Sequence, residues 1–272
     1  MSMTTSIRGT VSLTLGALAA AAGLWGCTGV ETSGSAEPAP AATPPAISDL
    51  YAGSPYLGEL RNSLVYGEIW ERPQLSKRDR SLITVAVLQA LVRDELALHI
   101  PRGLENGLTP EEISEVILHV TFYAGWPTGV QASGAAAQVF TERGVALGPL
   151  ERAPAATDQP DTPAAASGAY AAVPRLGQLR NSLLYGDIWE RPQLSKRDRS
   201  LITVAVTQAL YATSELETHI ARALDENGVT PQEISEVILH VTFYAGWPKA
   251  VNAGRVAAEA FEARGVSFAD LK

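Results

Sequence analysis

Downstream of the amino-terminal region, apolar positions recur at helical spacing. Ser76, with Asp79 three residues on, makes an N-cap, and Leu82, Val85, Ala86, Gln89 and Ala90 follow on one helical repeat. Thr109-Pro110-Glu111-Glu112 marks a second start, with a hydroxyl cap, a proline in the first turn and a carboxylate at the third helical position. Ile113, Val116, Ile117 and Val120 then form an apolar stripe that runs out near Gly125-Trp126-Pro127. An Ala-rich stretch from about 128 to 143, closed by Gly144, predicts a further helix. No run alternates with period two for long enough to make a sheet, so the predicted class is all-α.

The same pattern is written twice. Residues 61–87 recur as 180–206 with changes only at Val65/Leu184 and Glu68/Asp187, and 112–127 recur without change as 233–248. The offset grows from 119 (Arg61 to Arg180) to 120 (His99 to His219) and 121 (Glu112 to Glu233), so two single-residue insertions separate the blocks. Two copies of one unit make a duplicated domain rather than a solenoid. The expected organisation is a first domain over 56–146, an Ala/Pro-rich linker over 147–175 and a second domain over 176–267.

The amino terminus reads as an address. Arg8 is the only charge in residues 1–27, and an uncharged Ala/Gly/Leu run follows it, as in a secretory signal. Leu24-Trp25-Gly26-Cys27 resembles a bacterial lipobox, with Cys27 as the lipid attachment point. Residues 28–55, rich in Ala, Pro, Ser and Thr, read as a tether. The expectation is an exported protein, periplasmic or held at a membrane only by its lipid anchor.

Composition narrows the partners. A net charge of −8 and no basic patch argue against nucleic acid. A single cysteine excludes an intramolecular disulfide, a cysteine-ligated zinc site and a CxxC redox pair. Two histidines and a glutamate in each copy match no recognisable metal-ligand spacing, so the expected metal and cofactor content is none.

All four histidines fall at matched positions, His99 with His219 and His119 with His240. Glu95 and Glu215 each precede the first histidine by four residues, which on a helix puts carboxylate and imidazole on one face and would favour the imidazolium. The pair reads either as a solvated surface pair or as a proton-transfer dyad. His119 and His240 have Glu115 and Glu236 four residues before them and Tyr123 and Tyr244 four after, which suits either a pocket wall or a buried core histidine. In the basic clusters 77–80 and 196–199, Arg80 and Arg199 are candidates to turn inward and hold a carboxylate by a bidentate fork.

These motifs together, Tyr66-Gly-Glu-Ile-Trp-Glu-Arg-Pro73, Arg80 to Ala86, Asp94-Glu-Leu96 before His99, Asn106-Gly-Leu-Thr109, Glu112 to His119 and Tyr123-Ala-Gly125, resemble the 4-carboxymuconolactone decarboxylase family. Both copies carry the resemblance. It implies compact all-α domains that oligomerise through helices, here as a trimer of tandem chains, and loss of carbon dioxide from a small carboxylated lactone without organic cofactor or metal. On that reading His99 and His219 transfer the proton and Glu95 and Glu215 orient them. Arg80, Arg199 and Arg93 hold the substrate carboxylate, while His119, His240, Tyr123 and Tyr244 line the pocket. The superfamily's peroxidase branch uses a CxxC pair before the first histidine, and no cysteine stands there in either copy. A non-catalytic binding or scaffold protein of the same fold is the alternative. The copies differ ahead of that histidine, where Val92-Arg-Asp-Glu-Leu96 faces Tyr211-Ala-Thr-Ser-Glu-Leu216, and just after it, where Pro101 faces Ala221.

Overall fold

The structure, a computed structural model, describes residues 49–153 and 168–272. Cys27, the signal-like segment and the tether up to residue 48 lie outside the described residues. Among the described residues every regular element is helical. A 3-10 turn at Asp49–Tyr51 precedes α1 (Pro55–Leu60), which runs directly into a π-helical turn, Arg61–Tyr66. A 3-10 turn at Ile69–Glu71 leads to α2 (Lys77–Ala90), α3 (Leu96–Glu105), α4 (Pro110–Ala124) and α5 (Trp126–Glu142). The second copy opens with α6 (Ala169–Ala172) and α7 (Pro174–Leu179), then repeats the π turn at Arg180–Tyr185 and the 3-10 turn at Ile188–Glu190. It continues with α8 (Lys196–Leu210), α9 (Thr213–Asp225), α10 (Pro231–Ala245) and α11 (Trp247–Glu262), and ends in a 3-10 turn at Phe268–Asp270.

The local starts and stops follow from the residues. Ser76 Oγ accepts the Asp79 N–H at 3.0 Å, and Thr109 with Glu112 closes a reciprocal capping box, repeated at Thr230 and Glu233. Gly125, at φ 94°, makes the sharp passage from α4 into α5 that a side chain would oppose. Pro101 sits inside α3, which continues past it to Glu105 with the loss of one backbone donor.

Helices α2 and α8 are buried on all sides from Asp79 to Ala90 and from Asp198 to Ala209, and they pack against each other at the centre. Around them α10 packs on α2, and α4 on α8. The two cores are therefore mixed. Leu194, Ile202 and Val206 of the second copy complete the first copy's core, while Leu75, Ile83 and Val87 complete the second's. Each such side chain, fully buried, stabilises the assembly by roughly 1.5–3 kcal/mol, and a separated repeat would lose that contribution. The described residues of both repeats belong to one compact unit.

The helix starts lock the same arrangement. Arg78 Nη1 meets Asp198 at 3.1 Å, and Arg197 Nη2 meets Asp79 at 2.8 Å, a reciprocal pair across the two copies. Basic residues at a helix start oppose its dipole; here each arginine is held by the aspartate of the other helix's first turn.

Candidate active site

His99 projects from α3 into a cluster built from both copies. Its ring stacks on Trp70 with centroids 6.3 Å apart, and Tyr244 of the second copy meets it edge-on at 5.7 Å. A cavity of about 340 Å³ opens beside it, lined by Arg61, Val65, Tyr66, His99, Phe243 and Tyr244 among others. The π turn places Arg61 and Tyr66 on the wall, and Arg102, one turn after His99, donates to the Tyr66 hydroxyl. The Arg61 and Arg102 guanidinium carbons lie 4.7 and 4.5 Å from the Tyr66 ring centroid.

Behind this wall stands a largely buried network. Arg80 Nη2 donates to Glu236 at 2.8 Å and to the Arg72 carbonyl at 2.7 Å, and Arg72 Nε reaches the same carboxylate at 2.9 Å. Arg80 Nη1 faces His240 Nδ1 at 3.4 Å, and since a guanidinium only donates, Nδ1 accepts. The His240 proton therefore sits on Nε2, which meets Thr84 Oγ1 at 2.9 Å, and the Thr84 hydroxyl donates onward to the Arg80 carbonyl at 2.7 Å. The Trp70 indole N–H donates to the Tyr244 hydroxyl at 3.0 Å, tying the network to the cavity.

The exchange is reciprocal. His219 stacks on Trp189 at 6.1 Å and meets Tyr123 of the first copy at 5.4 Å, with Arg180 and Arg222 over Tyr185 at 4.8 and 4.5 Å. Behind them Arg199 holds Glu115 at 3.0 Å and faces His119 Nδ1 at 3.3 Å. Each copy supplies the first histidine of one site and the second histidine, glutamate and tyrosine of the other.

Burial sets the electrostatics. His99 is 8% exposed, and desolvation, followed by the Arg102 and Arg61 charges, lowers its pKa to about 4. His219 is lowered to about 4 by burial and Arg222. His119 and His240 are held well below the usual imidazole value by burial, then by Arg199 and Arg80. Burial pushes the phenols of Tyr123 and Tyr244 upward. All four imidazoles are thus neutral near pH 7. Among the described residues, no group of three or more His, Cys, Asp or Glu side chains is placed to hold a metal ion.

Comparison with known proteins agrees with this two-fold construction. The profile of the carboxymuconolactone decarboxylase family matches residues 55–138 and again 174–259, which together make up more than half of the chain. The chain belongs to that family. Its all-α fold is therefore two tandem family domains. A 4-carboxymuconolactone decarboxylase of Acinetobacter baylyi is 46% identical over 82 residues, 30% of this chain and 61% of that protein. A nitrosuccinic acid decarboxylase of Metarhizium robertsii is 36% identical over 75 residues, 27% of this chain and 52% of that protein. The chain thus spans between about half and three-fifths of the length of the curated relatives it matches.

Several residues expected to act in this family setting lie elsewhere than the sequence suggested. Glu95 and Glu215 are exposed, and His99 Nδ1 and His219 Nδ1 are buried with no hydrogen-bond partner among the described residues. Neither glutamate orients its histidine, and the imidazolium they were expected to favour is disfavoured, because burial and arginines outweigh a solvated carboxylate. Arg80 and Arg199 do turn inward and hold a carboxylate, but it is the protein's own, Glu236 or Glu115. With both fully buried, they support the site's wall and are not open to substrate. Arg93 is exposed and lines a different cavity, with Gln89 and Thr128. Tyr123 and Tyr244 do face the first histidines, and His119 and His240 lie directly behind them, each in the site of the other copy. The sequence reading missed Tyr66, Arg61 and Arg102 with their matches Tyr185, Arg180 and Arg222. Their signal was present, since all six fall at matched positions in the two copies.

Proposed function

We propose that the chain is an exported, lipid-anchored decarboxylase acting without cofactor on a small carboxylated lactone or related carboxylate. The observation that carries the reading is a neutral, buried His99 on a cavity whose wall also holds the cation Arg61, with Arg102 behind Tyr66. An anionic substrate entering there would be attracted by Arg61 and Arg102. The same anion would offset the Arg102 and Arg61 charges that, after burial, lower His99, which favours proton uptake by the ring as substrate binds.

The reaction then balances simply. The bond from the substrate to its carboxylate breaks, carbon dioxide leaves, and the electron pair stays on the substrate, delocalised into the lactone carbonyl. The imidazolium returns its proton to the ring carbon next to the lactone carbonyl, which leaves the carbon–carbon double bond at the carbon that lost the carboxylate, as in an enol-lactone. Burial of the tyrosines keeps their phenols protonated, so they act as hydrogen-bond donors rather than bases. His219 and Tyr123 would perform the same chemistry in the second site.

The family match and the decarboxylase names of the two relatives support this class of reaction. The lipobox-like Leu24 to Cys27 supports export and anchoring, for which no described helix is long and apolar enough to substitute. Exposed Trp126 and Trp247, at matched positions in the two copies, support a homo-oligomer such as a trimer of tandem chains.

Proton NMR of 4-carboxymuconolactone with the chain from residue 28 onward tests the reaction. Conversion to the enol-lactone that fails in the double variant His99→Ala/His219→Ala is the expected result. Absence of conversion by the unaltered chain would favour a binding or scaffold role instead. Mass spectrometry of membrane extracts tests lipidation at Cys27, and light scattering tests the oligomer.

A further inference from the structure

The two copies are least alike beyond the carboxyl ends of α2 and α8, and there one copy shows what the other lacks. In the second copy Lys249, near the start of α11, donates its ammonium to the Ala209 carbonyl at the end of α8. Asn252, one turn along α11, is bonded to Thr213 at 3.0 Å. The ammonium thus satisfies a helix-terminal carbonyl where the helix dipole is negative.

In the first copy the residue matching Lys249 is Thr128, whose hydroxyl is spent on the Gly125 carbonyl. The matching carbonyl, that of Ala90, accepts no hydrogen bond among the described residues. A cavity of about 150 Å³ lies beside the end of α2, lined by Gln89, Arg93, Asp94, Thr128 and Gln131 with apolar neighbours. A cavity of about this volume accommodates a molecule about the size of benzene.

Three of its polar side chains keep unspent groups. Gln89 is 1% exposed, its Nε2 bonds the Ile117 carbonyl at 3.0 Å, and its Oε1 has no partner among the described residues. Gln208, the match of Gln89, also keeps a free Oε1, so the ammonium is what distinguishes the copies. The side chains of Arg93 and Asp94 make no ion pair or hydrogen bond among the described residues, and neither charge has a counterpart at Ala212 and Thr213.

We propose that this cavity is a binding site, distinct from the two histidine sites, for a small zwitterionic amino acid. The ligand's ammonium takes the place that the Lys249 ammonium holds in the second copy, at the carbonyl end of α2 near Gln89 and Asp94. Its carboxylate faces Arg93, which would repel a simple cation. Repeat two carries the occupant covalently, and repeat one leaves the place open.

Isothermal titration of the full chain with glycine, β-alanine and γ-aminobutyrate, beside n-butylamine and butyrate, tests this. Saturable binding of at least one amino acid, one per chain and at least tenfold tighter than the amine or acid alone, is expected. Thr128→Lys should abolish that binding while leaving turnover at the histidine sites unchanged, and Arg93→Ala should weaken it at least tenfold. Circular dichroism on each variant separates loss of binding from loss of fold. No saturable binding by any of the three amino acids, or binding unaltered in Thr128→Lys, would overturn the site. Equal binding of n-butylamine, unaffected by Arg93→Ala, would overturn the zwitterion.

Discussion

Trp70 and Tyr244, 174 positions apart in the chain, are joined by a hydrogen bond of 3.0 Å from indole N–H to phenol oxygen. Trp189 and Tyr123 form the mirror bond at 2.9 Å. Each bond crosses from one copy to the other, so each holds a tyrosine of one copy against the first histidine of the other. Duplication here has produced two shared sites rather than one site per copy.

That exchange has a genetic signature. His99→Ala combined with Tyr244→Phe damages one site only and should leave about half of the turnover per chain, as the His99→Ala change does alone. His99→Ala combined with Tyr123→Phe damages both sites and should fall well below that. Steady-state rates of the four proteins check it; the reverse order of the two double variants would place each site within a single copy, and equal rates would remove the tyrosines from the sites.

Acid should weaken the fold through the histidines. His99 and His219 have pKa values lowered to about 4 in the folded chain, against an ordinary value of 6.5. Above 6.5 both states carry neutral rings and the linkage is silent. As pH falls towards 4 the unfolded chain takes up protons that the folded chain refuses, and stability drops by up to about 3 kcal/mol per histidine. Urea unfolding at pH 7.5 and 4.5 measures the drop, and His99→Gln/His219→Gln should make it shallower. A slope unchanged in that variant would show that other groups carry the acid sensitivity.

The buried pair of Arg80 and Glu236, 0% and 1% exposed, should be costly to break from one side. Glu236→Ala leaves two guanidinium groups, Arg80 and Arg72, without their shared carboxylate, and a loss of about 3–5 kcal/mol is expected. Denaturant midpoints measure it. The matched change Glu115→Ala should cost a similar amount through Arg199 and Arg191.

Val92 and Tyr211 follow the ends of α2 and α8 with φ of 55° and 61°, a conformation in which a side chain is strained. Tyr211→Gly should raise stability by about 1 kcal/mol, since the glycine relieves that strain at a half-exposed position. Val92→Gly should do the same or better, because a β-branched residue fits there least well. A lowered melting temperature in both would show that side-chain packing outweighs the backbone strain.

Much of the fold was legible in the chain itself. The capping residues Ser76 and Thr109, the stripe from Ile113 to Val120 and the near-identical second copy specify helices through local chemistry, which needs no distant partner. The histidines and tyrosines were legible as candidates for the same reason, since matched positions stand out in a duplicated sequence. Their roles were not. Glu95 and His99 share a helix face by spacing, yet spacing is silent on depth, and the histidine is buried while the glutamate stays in water. Arg80 reads as a carboxylate holder, but sequence cannot tell a substrate carboxylate from Glu236, 156 positions away. The amino-acid sequence by itself determined the helices, their ends and the two-fold repetition. Only the tertiary structure decided that α2 and α8 pack together at the centre, because identical copies carry the same apolar faces and nothing local says which copy covers which. That packing pairs His99 with Tyr244, buries all four imidazoles and makes each site a joint product of both copies.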